Sequence, residues 1–482
     1  MPSGDKPHFT IIGAGLGGAL LANYLARAGY PVEVYERRSD PRAAGFVGGR
    51  SINLAISERG LHALRGIGLE GEILRMAVPM RGRMIHPVRG DLKFQPYDAD
   101  PRRCINSLSR GGLNVALLNA AERLGVRLHF DCRCTEVDIE RGAARMQRVP
   151  PGETPVPPGE TPVAPGETPV LPGGVPAARR ETPVPPAEFW TDAGIIIGAD
   201  GAYSAVRSSL QHHEGFDYSQ QYLAHGYKEL CIPPADGGGF RLEPHALHIW
   251  PRRAFMMIAL PNPEGTFTCT CFWPLEGPDS FANLRTPEEI RRYFEEVFPD
   301  AAPLMPTLVE DYQRNPVGAL VTIRCRPWHH RDKVVLLGDA AHAIVPFFGQ
   351  GMNAAFEDCI WLDRCIRAHA PDFGRAFAEY SRLRKPHADA IADLALQNFV
   401  EMRDKTASRV FRMRKALERG LHRALPGWYT PLYTLVSFTN VPYADAVRRA
   451  RRQDWIVLAV ALLLAGVVVL ELWLLLLTGP PS

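Results

Sequence analysis

The stretch FTIIGAGLGGALLANYLARAGYPVEVYERR, residues 9–38, admits very few folds. An apolar run meets a GxGxxG turn, a helical run follows, and a second apolar run ends on Glu36. Glycine is required at Gly13 for the tight turn, at Gly15 so that a pyrophosphate can approach the backbone, and at Gly18 for close helix–strand packing. The helix then offers unsatisfied N–H groups and the positive end of its dipole to phosphate. Glu36 stands near the spacing of a carboxylate that bonds a ribose hydroxyl. The expectation is an α/β chain with a Rossmann-like dinucleotide-binding unit.

The rest of the composition narrows the class. With 55 basic and 52 acidic residues the net charge is +3, which excludes a global basic field and nucleic acid as the main partner. Nine scattered cysteines make no disulfide framework. Cys132 with Cys134, and Cys269 with Cys271, alternate along strand-like runs and share a face; without ligand spacing they are read as packing, and no metal is expected. His329 and His330 likewise lack partners at ligand spacing and are read as a surface turn. The N-terminus enters a strand with no basic region or cleavage site, so no signal peptide is expected.

Residues 455–477, WIVLAVALLLAGVVVLELWLLLL, carry one charge, Glu471. Such a run is long enough to cross a hydrocarbon core of about 30 Å. Arg448, Arg449, Arg451 and Arg452 precede it, and the positive-inside rule keeps the preceding chain on the cytoplasmic side. Glu471 either snorkels to the far interface or marks a protein contact. Residues 150–170 repeat PGETPV, and their prolines exclude a coiled coil; 148–186 are read as an extended, solvated insertion. Residues 241–273 read as antiparallel, with TFTCTCFWP alternating after an NPEG turn.

Two later motifs separate FAD from NAD. IIIGADGAYSAVR (195–207) presents Asp200 and Gly201 after a strand, and KVVLLGDAAHAIVPFFGQGMNAAFED (333–358) ends a strand on Gly338 and Asp339. In this order, with no second GxGxxG, the chain resembles the single-component FAD-dependent aromatic hydroxylases. GRSINLAISERG (49–60), RMIH (83–86), QNFVEMR (397–403) and TPLYTLVSF (430–438) make it similar to the kynurenine 3-monooxygenase family among them.

The resemblance implies FAD, with NADPH and O2 as co-substrates, and hydroxylation of L-kynurenine through a flavin C4a-hydroperoxide. It implies a discontinuous FAD-binding domain (1–80, 102–147, 187–210, 331–375) and an antiparallel β-sheet substrate domain (81–101, 211–330). A helical region (376–453) closes the site, and one transmembrane helix (455–477) follows. Arg83 would bind the substrate carboxylate with Tyr97 beside it. Asn398 and Tyr433 would add contacts, with Glu401 a further candidate and Phe272 a wall. Phe347, Phe348 and Gln350 would face flavin and substrate, with no side chain acting as acid or base; His342 is read as structural. Cofactor contacts would be Gly13, Gly15, Gly18, Glu36, Arg38, Ala55, Arg110, Asp200, Asp339, Pro346, Gly351, Met352 and Asn353. The helix after the loop can also stabilise negative charge on reduced flavin.

Three rivals remain at this level. A membrane-bound flavin reductase needs a long apolar tunnel in place of Arg83 and Tyr97. A hydroxybenzoate-type hydroxylase lacks the tail contacts and anchor. A catalytically silent flavoprotein serving as a binding module keeps all three cofactor motifs without turnover.

Overall fold

The computed structural model describes residues 6–43, 53–98, 100–150, 187–401 and 409–478. The repeat at 151–186 lies outside them, as do 49–52 and 402–403 of the family-like stretches.

Central strands rich in Ile and Val and buried on both faces build the core of a six-stranded sheet. Its order is His329–His330, Val334–Leu336, Ile195–Gly198, Phe9–Ile12, Val32–Tyr35 and Arg127–His129. All neighbours are parallel except the first pair. His329 and His330 therefore form an edge strand of a hairpin, where the sequence suggested only a turn. Helices Leu16–Arg27 and Gly351–His369 pack together against this core.

The sequence RLHFDCRCTEVDIE (127–140) alternates as one strand would, yet it forms two. Asp131 sits at φ 54°, a left-handed conformation that Asp tolerates better than most residues. The break sends Arg127–His129 into the large sheet and Cys132–Asp138 into a three-stranded one with Ala143–Arg148 and Glu188–Trp190. Cys132 and Cys134 are both buried, as are Cys269 and Cys271.

A seven-stranded sheet runs Gly318–Arg326, Asp217–Ile232, Phe267–Pro274, Phe255–Pro261, Ala246–Arg252, Gly82–Ile85 and Lys93–Pro96. It is antiparallel except where Gly82–Ile85 joins Ala246–Arg252 in parallel, with Arg83 opposite Leu247. An antiparallel substrate sheet was expected, and the one parallel pair joins segments distant in sequence. The remaining sheet is Asn53–Ile56, Ile105–Ser109 and Val78–Met80.

Helices Phe373–Val400, Arg409–Ala424, Leu432–Ser437 and Tyr443–Thr478 complete the chain. A buried chain of charges fastens them to the nucleotide-binding sheet. Arg384 donates from Nε to Asp358 (2.7 Å) and from Nη1 to Glu357 (2.8 Å). Arg59 Nη1 donates to the other Glu357 oxygen at 3.0 Å, and its Nε to the Val436 carbonyl at 3.0 Å. Burial alone would raise the Asp358 carboxyl, but His342 and Arg384 outweigh it and hold it below the usual range.

Removing one partner of such a set strands the rest. Arg384→Met is expected to cost about 3–5 kcal/mol, read by urea denaturation. Arg102→Met removes an ion pair whose arginine is 88% exposed and should leave the denaturation midpoint unchanged. Equal effects of the two substitutions would refute this assignment of stability.

Candidate active site

The glycine loop is shaped by three different demands. Gly13 has φ +104°, and a Cβ there would lie 2.4 Å from the Ala199 carbonyl oxygen. At Gly18 a Cβ would come within 2.0 Å of the Gly13 oxygen, so only glycine lets the helix sit this close. Gly15 opens onto free space instead. Helix Leu16–Arg27 begins there with no side-chain cap and no acidic residue in its first turn, leaving its amides available to an anion. Glu36 accepts from the Ala14 amide (2.9 Å) and the Arg38 amide (3.0 Å). Each carboxylate oxygen keeps a lone pair for a hydroxyl. Arg38 itself is exposed.

Asp200 follows the central strand and touches the same loop through Ala199. One of its oxygens accepts from the Ala205 and Val206 amides, at 2.7 and 3.3 Å. The other is buried without a partner among the described residues. Burial raises its carboxyl above the ordinary range. Arg207 ties this segment to the second motif by donating to the Ala340 carbonyl at 2.8 Å. Asp339 opens to solvent on one side, while the protein around it raises its carboxyl and Arg110 partly offsets that. An open anion site at a helix start, an orphaned carboxylate oxygen and a one-sided carboxylate fit the pyrophosphate and polyol of FAD.

The aromatic loop is a 3-10 turn, Pro346–Phe348, closed by Gly349 at φ +65°. Pro346 is exposed, and Gly351 and Met352 are half-buried at the start of the following helix. Asn353 is fully buried: its Nδ2 donates to the Ala55 and Gly349 carbonyls and its Oδ1 accepts from the Ser57 amide, all at 2.9 Å. Its side chain joins the Ala55 strand to the loop. Gln350 also turns inward. It is 2% exposed, and its side-chain oxygen accepts from Tyr443 at 2.9 Å. This side chain, expected beside flavin and substrate, is held by the buried Tyr443 hydroxyl.

The two phenylalanines divide. Phe347 is buried, stacked on Phe399 at 4.2 Å and edge-on to Phe272 at 5.0 Å. Its carbonyl accepts from Asn398 Nδ2 at 2.6 Å. Phe348 remains half-buried and lies 5.6 Å from the Tyr433 ring. Tyr433 in turn stacks on Tyr97 at 5.6 Å, and Arg83 lies 5.0 Å from the Tyr433 centroid and 5.8 Å from that of Tyr97. Burial works against the Arg83 charge, yet the two phenols outweigh it and raise its pKa. No carboxylate among the described residues pairs with Arg83, and its Nε is buried without a partner. Glu401 caps helix Phe373–Val400 and is half-buried, with no ion pair to Arg83.

The structure thus brings Arg83, Tyr97, Tyr433 and Phe348 together, with Phe272, Phe347 and Asn398 packed behind them. Sequence reasoning missed Phe399, although it follows Asn398 directly. It also missed the tie that registers the tyrosines: Thr434 donates to Asp98 at 2.8 Å, and Arg103 holds the same carboxylate oxygen at 3.0 Å.

A family model described as "FAD binding domain" matches residues 8–154 and 187–395. The kynurenine 3-monooxygenase of Myxococcus xanthus is 48% identical over 95% of this chain and 91% of its own length. That of Salinispora tropica is 44% identical over 93% of this chain and 92% of its own. In fold, the chain is similar to 2-methyl-3-hydroxypyridine-5-carboxylic acid oxygenase, with TM-score 0.63, 19% identity and coverage of 90% of this chain and 96% of that one. Its cofactor loops, mixed sheets and helical C-terminus follow the same plan, and the chain belongs to the kynurenine 3-monooxygenase family of FAD-dependent monooxygenases.

Proposed function

We propose that this flavin monooxygenase hydroxylates L-kynurenine at ring position 3, consuming NADPH and O2, while a C-terminal helix holds it to a membrane. One observation carries the substrate assignment: Arg83 is a half-buried cation with a buried, unpartnered Nε and two tyrosines beside it. A cation so placed needs an anion from outside the chain, and a guanidinium grips a carboxylate through paired N–H donors. Kynurenine brings an α-carboxylate at one end and an aromatic amine at the other. The phenols of Tyr97 and Tyr433 extend the polar end, and Phe348 begins the apolar wall for the ring. A reductase of long apolar chains has no use for this charge.

Gly13, Gly15, Gly18, Glu36, Asp200 and Asp339 would hold FAD. When bound, it accepts a hydride from NADPH and delivers one atom of O2 to the ring, by the route the resemblance implies. The products are 3-hydroxykynurenine, NADP+ and water. The amine makes its neighbouring ring carbon electron-rich, so the chain supplies no acid or base. His342 is buried against Asp358 and serves the fold. The side chains orient the ring and exclude water: Asn398 fixes the Phe347 carbonyl, and Phe272, Phe347 and Phe399 fill the space behind the loop.

Helix Tyr443–Glu471 supports the membrane reading, with mean hydropathy 2.3 and 6% of its apolar window buried. A core helix of a soluble protein buries such residues, whereas Trp455, Leu462 and Leu463 all face outward. The arginines at 448–452 place the flavoprotein on the cytoplasmic side in this proposal.

Arg83→Met should leave flavin content normal and weaken kynurenine binding, measured by flavin absorbance titration. Losing a charge-assisted pair costs about 1.5–3 kcal/mol, so affinity should fall at least about tenfold; unchanged affinity sends the carboxylate elsewhere. L-kynurenine should also stimulate NADPH oxidation with a product one oxygen heavier, and no stimulation would sink the substrate assignment.

Truncation after Asp454 should move the protein to the soluble fraction with its flavin retained. The cut spares Gln453 and Asp454, which bond the Trp428 carbonyl and the Tyr429 hydroxyl. Membrane association that survives the cut would show that another surface holds the protein there.

A further inference from the structure

Glu140, His213 and His330 converge on the surface, and the flavin site uses none of them. They come from the turn after strand Cys132–Asp138, the segment after helix Ala205–Leu210, and edge strand His329–His330. One donor atom from each lies within 4.8 Å of the others. His330 Nε2 is 2.9 Å and His213 Nε2 3.5 Å from the same carboxylate oxygen, Glu140 Oε1. Metal bonds of about 2.0–2.2 Å to nitrogen and oxygen set neighbouring ligand atoms about 2.9–3.6 Å apart in octahedral or tetrahedral geometry. The observed pair of distances falls in that range.

A hydrogen-bonded cluster and a bound metal ion are the two arrangements these distances allow. Arg331 already holds Glu140 Oε2, which neutralises the carboxylate. A protonated His213 would then face both Arg331 and the His330 ring, whose centroid is 4.2 Å away. Neutral imidazoles avoid that repulsion by donating Nε2–H to Glu140 Oε1, and a divalent cation can take the place of those two protons and bind all three donor atoms at once. Arg331 on the far oxygen is the kind of outer partner that orients a ligating carboxylate. The side chains of Glu140, His213 and His330 are 49%, 42% and 13% exposed, so a hydrated ion can reach them and keep water in its open positions.

We propose that Glu140, His213 and His330 form a binding site for a divalent transition-metal ion of borderline softness, Zn2+ or Cu2+. The ion braces the two aspartate motifs from behind. Asp200 caps the helix that leads to His213, and the His330 strand pairs with Val334–Leu336, which runs into Asp339.

The test uses the full-length flavin-loaded protein, stripped with a chelator. Cu2+ is titrated with electron paramagnetic resonance detection, and Zn2+ with the thermal midpoint as readout. One tight copper site with two nitrogen ligands is expected, and Zn2+ should raise the midpoint. His213→Ala should remove one nitrogen and weaken copper binding at least about tenfold, the smallest loss usual even for outer-shell changes. Glu140→Gln should weaken binding with both nitrogens kept. Flavin absorbance reports folding in each variant, and exposed His213 carries the test if His330→Ala fails to fold. Copper affinity and nitrogen count unchanged by His213→Ala would overturn the proposal and leave an ion-pair cluster only.

Discussion

The contact between Arg384 and Asp358 organises this molecule. Both side chains are wholly buried, where an unpaired charge is prohibitive. They persist because Glu357 and Arg59 close the set at two acids against two arginines. The arrangement then dictates backbone geometry. The second Asp358 oxygen accepts from the Gly338 amide at 3.1 Å, fixing the turn that aims Asp339 into the cleft. At the other end Arg59 bonds the Val436 carbonyl and lies 4.0 Å from the Tyr443 ring centroid. The C-terminal segment cannot shift without exposing or orphaning these charges.

That coupling explains how a pocket is assembled from segments so far apart in sequence. Arg83 and Tyr97 belong to the edge of the seven-stranded sheet, Phe348 to the loop after Asp339, and Tyr433 to the helical tail. Two parallel links hold them in register. Tyr97 stacks on Tyr433, while their chain neighbours Asp98 and Thr434 share a hydrogen bond. The Gln350–Tyr443 bond secures the loop from below. The loop is therefore anchored on its buried side, through Phe347 and Gln350, and presents Pro346 and Phe348 outward.

Local chemistry was readable in the sequence where a backbone conformation leaves one residue type possible. Gly13 and Gly18 could be placed at sight, because a Cβ there meets a carbonyl oxygen. The parallel core strands were equally plain from their unbroken apolar runs. Direction and long-range partnership were not. Nothing near Gln350 says that its amide belongs to a tyrosine far along the chain, nor does Asn353 reveal that it laces two backbone segments. The break at Asp131 hides inside a perfect alternation, since period two records faces and not φ. His330 offered no ligand spacing because its companions, Glu140 and His213, arrive only through the sheet.

The same accounting separates structural charge from functional charge. Buried charges in the Arg59–Arg384 set are each answered by the chain, in matched numbers, and such a set specifies a fold. Arg83 is half-buried, and it meets phenols in place of carboxylates and keeps a buried, unpartnered Nε. A protein that can close a four-charge network a short distance away could have supplied Arg83 with an acid. Leaving it without one costs stability in the free protein and reserves the full charge for an incoming anion. Tyr97 and Tyr433 fit that purpose: they steady the guanidinium through ring faces and hydroxyls without neutralising it. The incomplete site is where the chain departs from self-sufficiency, and in the proposed function the substrate carboxylate completes it.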